Sequence, residues 1–295
     1  MIARTAAALA LLALAVCHDA LAQASPERDR ARFLELHARR LPGIPVADYV
    51  HGPFALNADA RRHYEDIMSF PPFLPEVERG RVLWETPFRN GRTYADCLPQ
   101  GGRMIAGRYP LYDEAEDRVI TFEMALNRCR RANGEPEYRH DDRQTMGLLS
   151  AWARSLSDGM PMDIRVEGPG ALRRYENGRR LFFRRIGQMN FACATCHLHN
   201  AGGVMRMEAI SPAVGQAVHI PIWRGAERLY TAHMRFTRCM EQVRAEPFPP
   251  WAARPSTTSS TSMPRSRTAL RCRPTCTGAE GAGRARRDGP PAGAS

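Results

Sequence analysis

Residues 193–197 read Cys-Ala-Thr-Cys-His, and this C-x-x-C-H motif constrains the chain more than any other feature. Cys193 and Cys196 are spaced one helical turn apart, so their thiols can bond to the two vinyl groups of one haem while His197 ligates the iron. A bare C-x-x-C could instead be a redox pair or half of a zinc site. The adjacent histidine, and the lack of a second C-x-x-C at zinc spacing, favour one covalently bound haem c.

Residues 1–24 are typical of a secretory signal peptide, with Arg4 at the charged start, a short apolar core and small residues near position 22. The apolar core is too short to span a bilayer as a helix, and no later segment is apolar enough to do so. The sequence therefore predicts an exported, periplasmic protein without a membrane span. That compartment permits both disulfides and c-type haem attachment.

The positive charge is concentrated at the C-terminal end. Of the formal net charge of +11, residues 251–295 contribute eight arginines against two acids, which leaves +5 for the rest of the chain. This moderate charge does not indicate nucleic-acid binding and suits acidic partners or anions. Residues 251–295 lack Ile, Val, Phe and Tyr, so we interpret them as a disordered tail or as the product of a frameshift. Sequencing the DNA across these codons distinguishes the two.

Two segments of the chain resemble each other, which suggests a duplicated module. Residues 80–102 and 178–203 share a Gly-Arg start, an aromatic residue, an Asn and a Cys, with 17 and 15 residues from the Gly to the Cys, and each then reaches a Gly pair. Gln100 and Gly101 stand where the second copy has the second Cys and the His of its motif. The first copy therefore cannot bind a c-type haem.

Three cysteines remain outside the signal peptide, the motif and the C-terminal segment: Cys97, Cys129 and Cys239. An odd number in an oxidising compartment leaves one thiol without a partner. Cys97 belongs to the copy that lacks haem, and a bond to Cys129 would replace the cofactor with a covalent link that stabilises by about 2–4 kcal/mol. Two free thiols are the alternative reading.

The remaining pattern predicts a mainly helical chain with long loops. Apolar residues at helical spacing predict helices over residues 76–84, 117–131, 145–156, 171–186 and 227–243. Gly and Pro at residues 166–170 mark a boundary, so we expect a haem-less domain over 48–165 and a haem-binding domain over 171–250.

A haem bound by His197 has a second axial ligand or an open site. Seven side chains further along the chain could supply that ligand: Met205, Met207, His219, His233, Met234, Cys239 and Met240. A simple electron carrier would use Met205 or Met207. Cys239 differs, because Arg235 and Arg238 would favour its thiolate and could hold a small dianion. Alternatively, the two arginines only form a solvated helix face.

Three longer motifs specify the chain further: Gly80-x-x-Leu83-Trp84-x-x-Pro87-x-x-Asn90-Gly91, Gly187-Gln188-x-Asn190-x-x-Cys193-x-x-Cys196-His197, and Arg235-x-x-x-Cys239-x-x-Gln242. Together these motifs resemble the SoxA family of sulfur-oxidation cytochromes. The resemblance covers roughly residues 48–250.

The resemblance implies two cytochrome c-like domains in tandem, the first without haem and bridged by Cys97 and Cys129. It implies His197 and Cys239 as the axial ligands of a single haem c. Cys239 would also be the active-site residue, found as a persulfide in the family, and Arg235 would bind the substrate.

The activity implied is that of an L-cysteine S-thiosulfotransferase. Such an enzyme couples thiosulfate oxidatively to a cysteine of a SoxYZ-type carrier protein and works with a SoxX-type cytochrome subunit. One alternative is a plain periplasmic electron carrier with Met205 or Met207 on the iron. Another is a haem-free secreted structural protein in which Cys193 and Cys196 form disulfides.

Overall fold

The computed structural model describes residues 25–205, 208–224 and 229–245. The predictions for residues 1–24, for Met207 and for residues 251–295 lie outside these ranges. The α-helices of the described chain, in order, are α1 (Pro26–Arg40), α2 (Ala58–Ile67), α3 (Leu74–Glu85), α4 (Phe122–Ala132), α5 (Leu148–Ser155), α6 (Gly168–Phe183), α7 (Cys193–His197) and α8 (Ala232–Gln242).

Strands within these ranges are short and form two-stranded antiparallel hairpins: β1 (Leu111–Asp113) with β2 (Arg118–Ile120), β3 (Val204–Met205) with β4 (Glu208–Ala209), and β5 (Ile222–Trp223) with β6 (Leu229–Tyr230). Tighter 3-10 turns occur at Val46–Ala55, Tyr94–Asp96, Pro99–Gly102, Ala106–Arg108 and Gln216–His219, and a π turn at Arg143–Gly147 leads into α5. The prediction of a mainly helical chain is confirmed.

The first hydrophobic core lies between α3, α4 and α5. Gly80 allows α3 to approach α5 closely, because a Cβ at this position would lie 2.2 Å from the carbonyl oxygen of Leu148. The Trp84 ring stacks on Tyr94 with centroids 5.4 Å apart. Cys97 and Cys129 form a disulfide at the edge of this core, with Cα atoms 5.9 Å apart.

A second core joins α1 to the haem-binding motif. Phe33 of α1 and Leu41, the residue that follows α1, pack with Ala194 and Leu198. The predicted domain boundaries leave α1 outside both modules, although its start has clear helix signals. Ser25 caps the helix by accepting a hydrogen bond from Arg28 N at 3.2 Å, and a proline and two acidic residues follow in the first turn.

A third core links the first half of the chain to the segment before α8. Leu229 of β6 is buried with Phe73, Val77 and Leu148. Gly147 permits this contact, because a Cβ there would lie 2.9 Å from the carbonyl oxygen of Leu229. The chain that enters α8 therefore rests on α3 and α5.

Two of the predicted helices extend into residues that form strands. Residues 118–120 form β2 instead of helix, because Asp117 turns the chain with φ of 43° and Thr121 caps α4. The last helix begins only at Ala232, because Thr231 is its N-cap and the two residues before Thr231 pair with β5. Apolar spacing continued across these caps, so periodicity alone did not locate the helix starts. Within the described ranges every helix is too short or too polar to cross a bilayer.

Removing the disulfide should destabilise the protein without altering the haem region. The Cys97→Ala/Cys129→Ala variant frees a loop closed over a sequence separation of 32 residues. Loop entropy then predicts a free energy of unfolding lower by about 3–4 kcal/mol. Urea unfolding followed by circular dichroism measures this change. A loss below about 1 kcal/mol would contradict the prediction.

Mild acid should destabilise the fold through buried histidines. Burial lowers the pKa of His37, His219 and His233 from 6.5 to about 4. Between pH 6.5 and 4 the unfolded chain binds these protons and the native chain does not, so stability falls as pH falls. Each histidine adds a slope of up to about 1.4 kcal/mol per pH unit. Urea midpoints at pH 7, 6 and 5 test this, and a flat profile would refute it.

Candidate haem site

Helix α7 presents the two motif cysteines as free thiols. Cys193 and Cys196 are half-buried and belong to no disulfide. Thr195 fixes the start of this short helix, because its hydroxyl accepts a hydrogen bond from Ala192 N at 3.0 Å. Two free thiols on one helical turn suit thioether bonds to a haem. The haem-free alternative, with disulfides at these positions, does not match this arrangement.

The His197 ring is oriented by a backbone oxygen. Its Nδ1 lies 3.0 Å from the carbonyl oxygen of Ser211, which accepts the Nδ1 proton and leaves Nε2 with its lone pair. Burial lowers the pKa of His197, and the nearby positive charge of Arg235 lowers it further. A neutral imidazole held through Nδ1 is the form that binds a metal. The residues present therefore fit a covalently attached haem.

The segment before α7 is joined to the end of α8 by backbone hydrogen bonds. Gln188 N donates to Arg244 O at 3.0 Å, and Met189 N donates to Val243 O at 3.2 Å. Gly187 makes this approach possible, because its φ is +69° and a Cβ there would lie 2.1 Å from the Val243 carbonyl oxygen. This contact sets the distance between the motif and α8.

Helix α8 brings Cys239 and Arg235 to the motif. Burial raises the pKa of Cys193 to about 11, and the neighbouring Cys239 sulfur contributes to the increase. Cys239 also contributes to the raised pKa of Cys196, after burial. Arg235, one turn before Cys239, acts on His197 as described above. Electrostatic interactions therefore connect α8 to each of the three motif residues, Cys239 to the two cysteines and Arg235 to His197.

The two arginines of α8 have different surroundings. Arg238 is exposed and forms an ion pair with Glu241 at 2.8 Å. Arg235 is half-buried, and no described carboxylate forms an ion pair with it. Of the two arginines, Arg235 is therefore the one whose charge remains available to a small anion, because the charge of Arg238 is already paired at the surface.

The other predicted axial candidates occupy different places. His233 shares a hydrogen bond with Thr121 at 2.8 Å, which turns its ring toward the first half of the chain. The His219 ring packs so closely against Gly52 that any side chain at position 52 would overlap the ring. Met205 is 43% exposed in β3. Met234 and Met240 are buried on α8.

Sequence reasoning missed two features of the site. The carbonyl of Ser211 is a backbone group, so no residue type reveals that it orients His197. Helix α1 was also missed, although His37 is fully buried and His197 contributes to its lowered pKa. The cap at Ser25 was the available signal for α1.

A short helix that has two free cysteines and ends at a histidine held through Nδ1 defines a c-type cytochrome. Comparison with known proteins supports this class and narrows it. Residues 79–162 match the family model described as SoxA/TsdA, cytochrome c domain. This segment contains the disulfide but not the C-x-x-C-H motif, so the half without the motif has a cytochrome c pattern.

Relatives similar along most of the chain are L-cysteine S-thiosulfotransferase subunits SoxA. The protein of Allochromatium vinosum is 39% identical over 77% of this chain and 81% of its own length. That of Chlorobaculum tepidum is 36% identical over 77% of this chain and 79% of its own. The crystal structure of SoxXA from P. pantotrophus shares the fold, with a TM-score of 0.60 and 24% identity over 71% of this chain and 81% of that chain. The chain belongs to the SoxA family.

The contact at Gly187 should be essential for site geometry. We expect Gly187→Ala to push the end of α8 away from the motif, because the new Cβ meets the Val243 carbonyl. Its control is Gly91→Ala, which has a similar positive φ but nothing within 4 Å of the new Cβ. Both variants have similar backbone strain. Only Gly187→Ala should change the visible spectrum of the haem-loaded protein; equal spectra for both variants would contradict this role.

Proposed function

We propose that this chain is a periplasmic L-cysteine S-thiosulfotransferase subunit that holds a single haem c. It would couple thiosulfate to a cysteine of a SoxYZ-type carrier protein, together with a SoxX-type cytochrome subunit. The single observation that supports this best is the placement of Arg235 and Cys239, one turn apart on α8, beside the C-x-x-C-H helix.

The proposal of one haem rests on the first half of the chain. Gln100 and Gly101 occupy the positions that would need a Cys and a His, and Cys97 is already bonded to Cys129. Within residues 25–165 no thiol is left for a thioether bond. Cys193, Cys196 and His197 would then attach the haem, and Cys239 would be its other iron ligand.

Arg235 suits the binding of a small dianion near the Cys239 sulfur. Its guanidinium is half-buried, and no described carboxylate neutralises it. Thiosulfate has two negative charges and oxygen acceptors that match the planar donors of arginine. Partial burial strengthens this attraction relative to the same pair in water. Arg235 would therefore orient the sulfane sulfur toward Cys239.

The proposed chemistry is a two-electron oxidation followed by an exchange. The Cys239 thiolate and the sulfane sulfur of thiosulfate form a sulfur–sulfur bond and give up two electrons. The carrier thiolate then attacks that sulfane sulfur, takes the S-sulfonate group and releases the Cys239 thiolate, while the carrier's thiol proton goes to solvent. A bound haem c would supply a one-electron acceptor, and the SoxX-type cytochrome subunit would accept the second electron.

The partners and compartment are proposed on separate grounds. The crystal structure that shares this fold is a SoxXA complex, which supports a SoxX-type subunit as partner. The names of the relatives support the transfer activity, and a cysteine as acceptor. Export is supported by the signal-like residues 1–24 and by the disulfide.

Substitutions on α8 test the function. We expect Cys239→Ala to abolish thiosulfate-dependent turnover in the mature complex, because this variant lacks the sulfur that bonds to thiosulfate. Arg235→Lys should weaken thiosulfate binding by about tenfold or more, because the planar donor pair is lost. Steady-state kinetics, normalised to haem content from intact mass, measure both effects.

Arg238→Lys is the matched control. Arg238 lies on the same helix, is exposed and pairs with Glu241, so this variant should keep its KM and kcat. Turnover that is retained in Cys239→Ala, with methionine-type ligation in the ferric spectrum, would replace the proposal with the plain electron carrier. A protein without the mass of a bound haem would exclude both functions.

A further inference from the structure

Helix α8 has a second face that the proposed chemistry does not use. At about 100° per residue, His233 lies roughly opposite Arg235 around the helix. His233 is buried, with 7% of its surface exposed, and Thr237 donates a hydrogen bond to its carbonyl oxygen at 3.0 Å. This face is turned toward the first half of the chain.

His233 is fixed by the start of α4. Its Nε2 shares a hydrogen bond with Thr121 Oγ1 at 2.8 Å, across 112 residues of sequence. Thr121 is the N-cap of α4, and its hydroxyl also accepts from Met124 N at 3.3 Å. The side chain that caps one helix therefore holds the first turn of another.

A buried carboxylate lies beside this hydrogen bond. Glu123 Oε2 is 3.9 Å from His233 Nε2, and Glu123 is fully buried. Its other oxygen accepts from Ser150 at 2.7 Å and from Arg154 at 3.2 Å. Burial alone would raise the pKa of Glu123, but Arg154, His233 and Ser150 together lower it to about 2. The anion is held from several sides and has little freedom to move.

His140 completes the surroundings of His233. The two rings lie 4.6 Å apart at an angle of 43°. Within the described residues, no set of three His, Cys, Asp or Glu side chains is arranged to hold a metal ion. The cluster of Thr121, Glu123, His140 and His233 is therefore a structural contact between two parts of the chain and not a second metal centre.

Helix α8 is thus held at both ends by different parts of the protein. Its C-terminal end is joined to the haem-attachment segment at Val243 and Arg244. Its N-terminal end is held by residues of the half that has no haem motif. Arg235 lies about 3 Å along the axis from His233, whereas Cys239 lies closer to the C-terminal contact.

We propose that His233, with Thr121 and Glu123, is a positioning residue through which the haem-less half sets the location of the substrate-binding Arg235. This inference rests on the proposed function. If the His233 contact is lost, α8 pivots about its C-terminal contact, and Arg235 moves more than Cys239. The main effect is then on thiosulfate binding, with a smaller effect on the iron ligand.

The experiment compares His233→Phe with His233→Gln in the haem-loaded complex. Phe fills the space but makes no hydrogen bond, whereas the Gln amide can replace Nε2. We expect His233→Phe to raise the KM for thiosulfate by about tenfold, whereas kcat, expressed per haem, should fall by a smaller factor. His233→Gln should stay near the parent values. If His233→Phe does not fold, Thr121→Val removes the same hydrogen bond together with the cap of α4, and Thr121→Ser, which keeps a hydroxyl for both, is its control.

Ser157→Ala is the matched control for loss of stability. Ser157 is fully buried in the same half and accepts hydrogen bonds from Ile105 N and Ala106 N at 3.1 and 3.0 Å. A merely destabilised enzyme loses active molecules, so its apparent kcat falls while its KM is unchanged. If His233→Phe behaves in this way too, the positioning role is overturned.

The same variants separate this inference from the proposed function. Absence of thiosulfate turnover in the parent protein would refute the function. Equilibrium binding of thiosulfate as a dianion to the haem-loaded complex, measured by calorimetry, would then decide the positioning. Binding about tenfold weaker in His233→Phe, but not in His233→Gln or Ser157→Ala, supports it, and equal binding in all variants overturns it.

Discussion

The site depends on two backbone hydrogen bonds, from Gln188 and Met189 to the carbonyls of Arg244 and Val243. They join the segment before the C-x-x-C-H helix to the end of α8, more than fifty residues later. Because backbone groups make these bonds, they fix a distance regardless of the side chains around them. Only glycine at position 187 lets the two segments come this close, because any Cβ there would overlap the Val243 carbonyl oxygen. The sulfur of Cys239 is near the motif for this reason.

The ion pair of Glu123 and Arg154 has a different kind of importance. Taking two charges out of water costs free energy that their attraction only partly offsets, so a well-packed apolar pair could be equally stable. An apolar pair would provide no direction for His233. A carboxylate held by Ser150 and Arg154 has one orientation, and it leaves one oxygen facing the ring. The network is better explained by its specificity than by its stability.

Chemistry was easier to predict from the sequence than geometry. The residues of the motif, Cys239 and Arg235 have side chains whose reactivity is evident from type and spacing, and the structure groups them. Helix starts were harder, because the caps at Thr121 and Thr231 interrupt an apolar pattern that continues through β2 and β6. The contacts of His233 could not be predicted, since they join residues far apart in sequence. A histidine beside a buried core looks the same in sequence as an iron ligand.

The absence of a haem motif from the first half explains why its remaining contacts matter. A cytochrome c domain that has haem is packed around the cofactor, and without it the core must be closed by other means. Here the disulfide and the stacked Trp84 and Tyr94 contribute to that core. The family pattern of a cytochrome c domain persists over residues 79–162, although both cysteines of that segment are joined in the disulfide. Its contacts with Leu229 and His233 give that fold a physical role, because they support the helix on which the proposed chemistry depends.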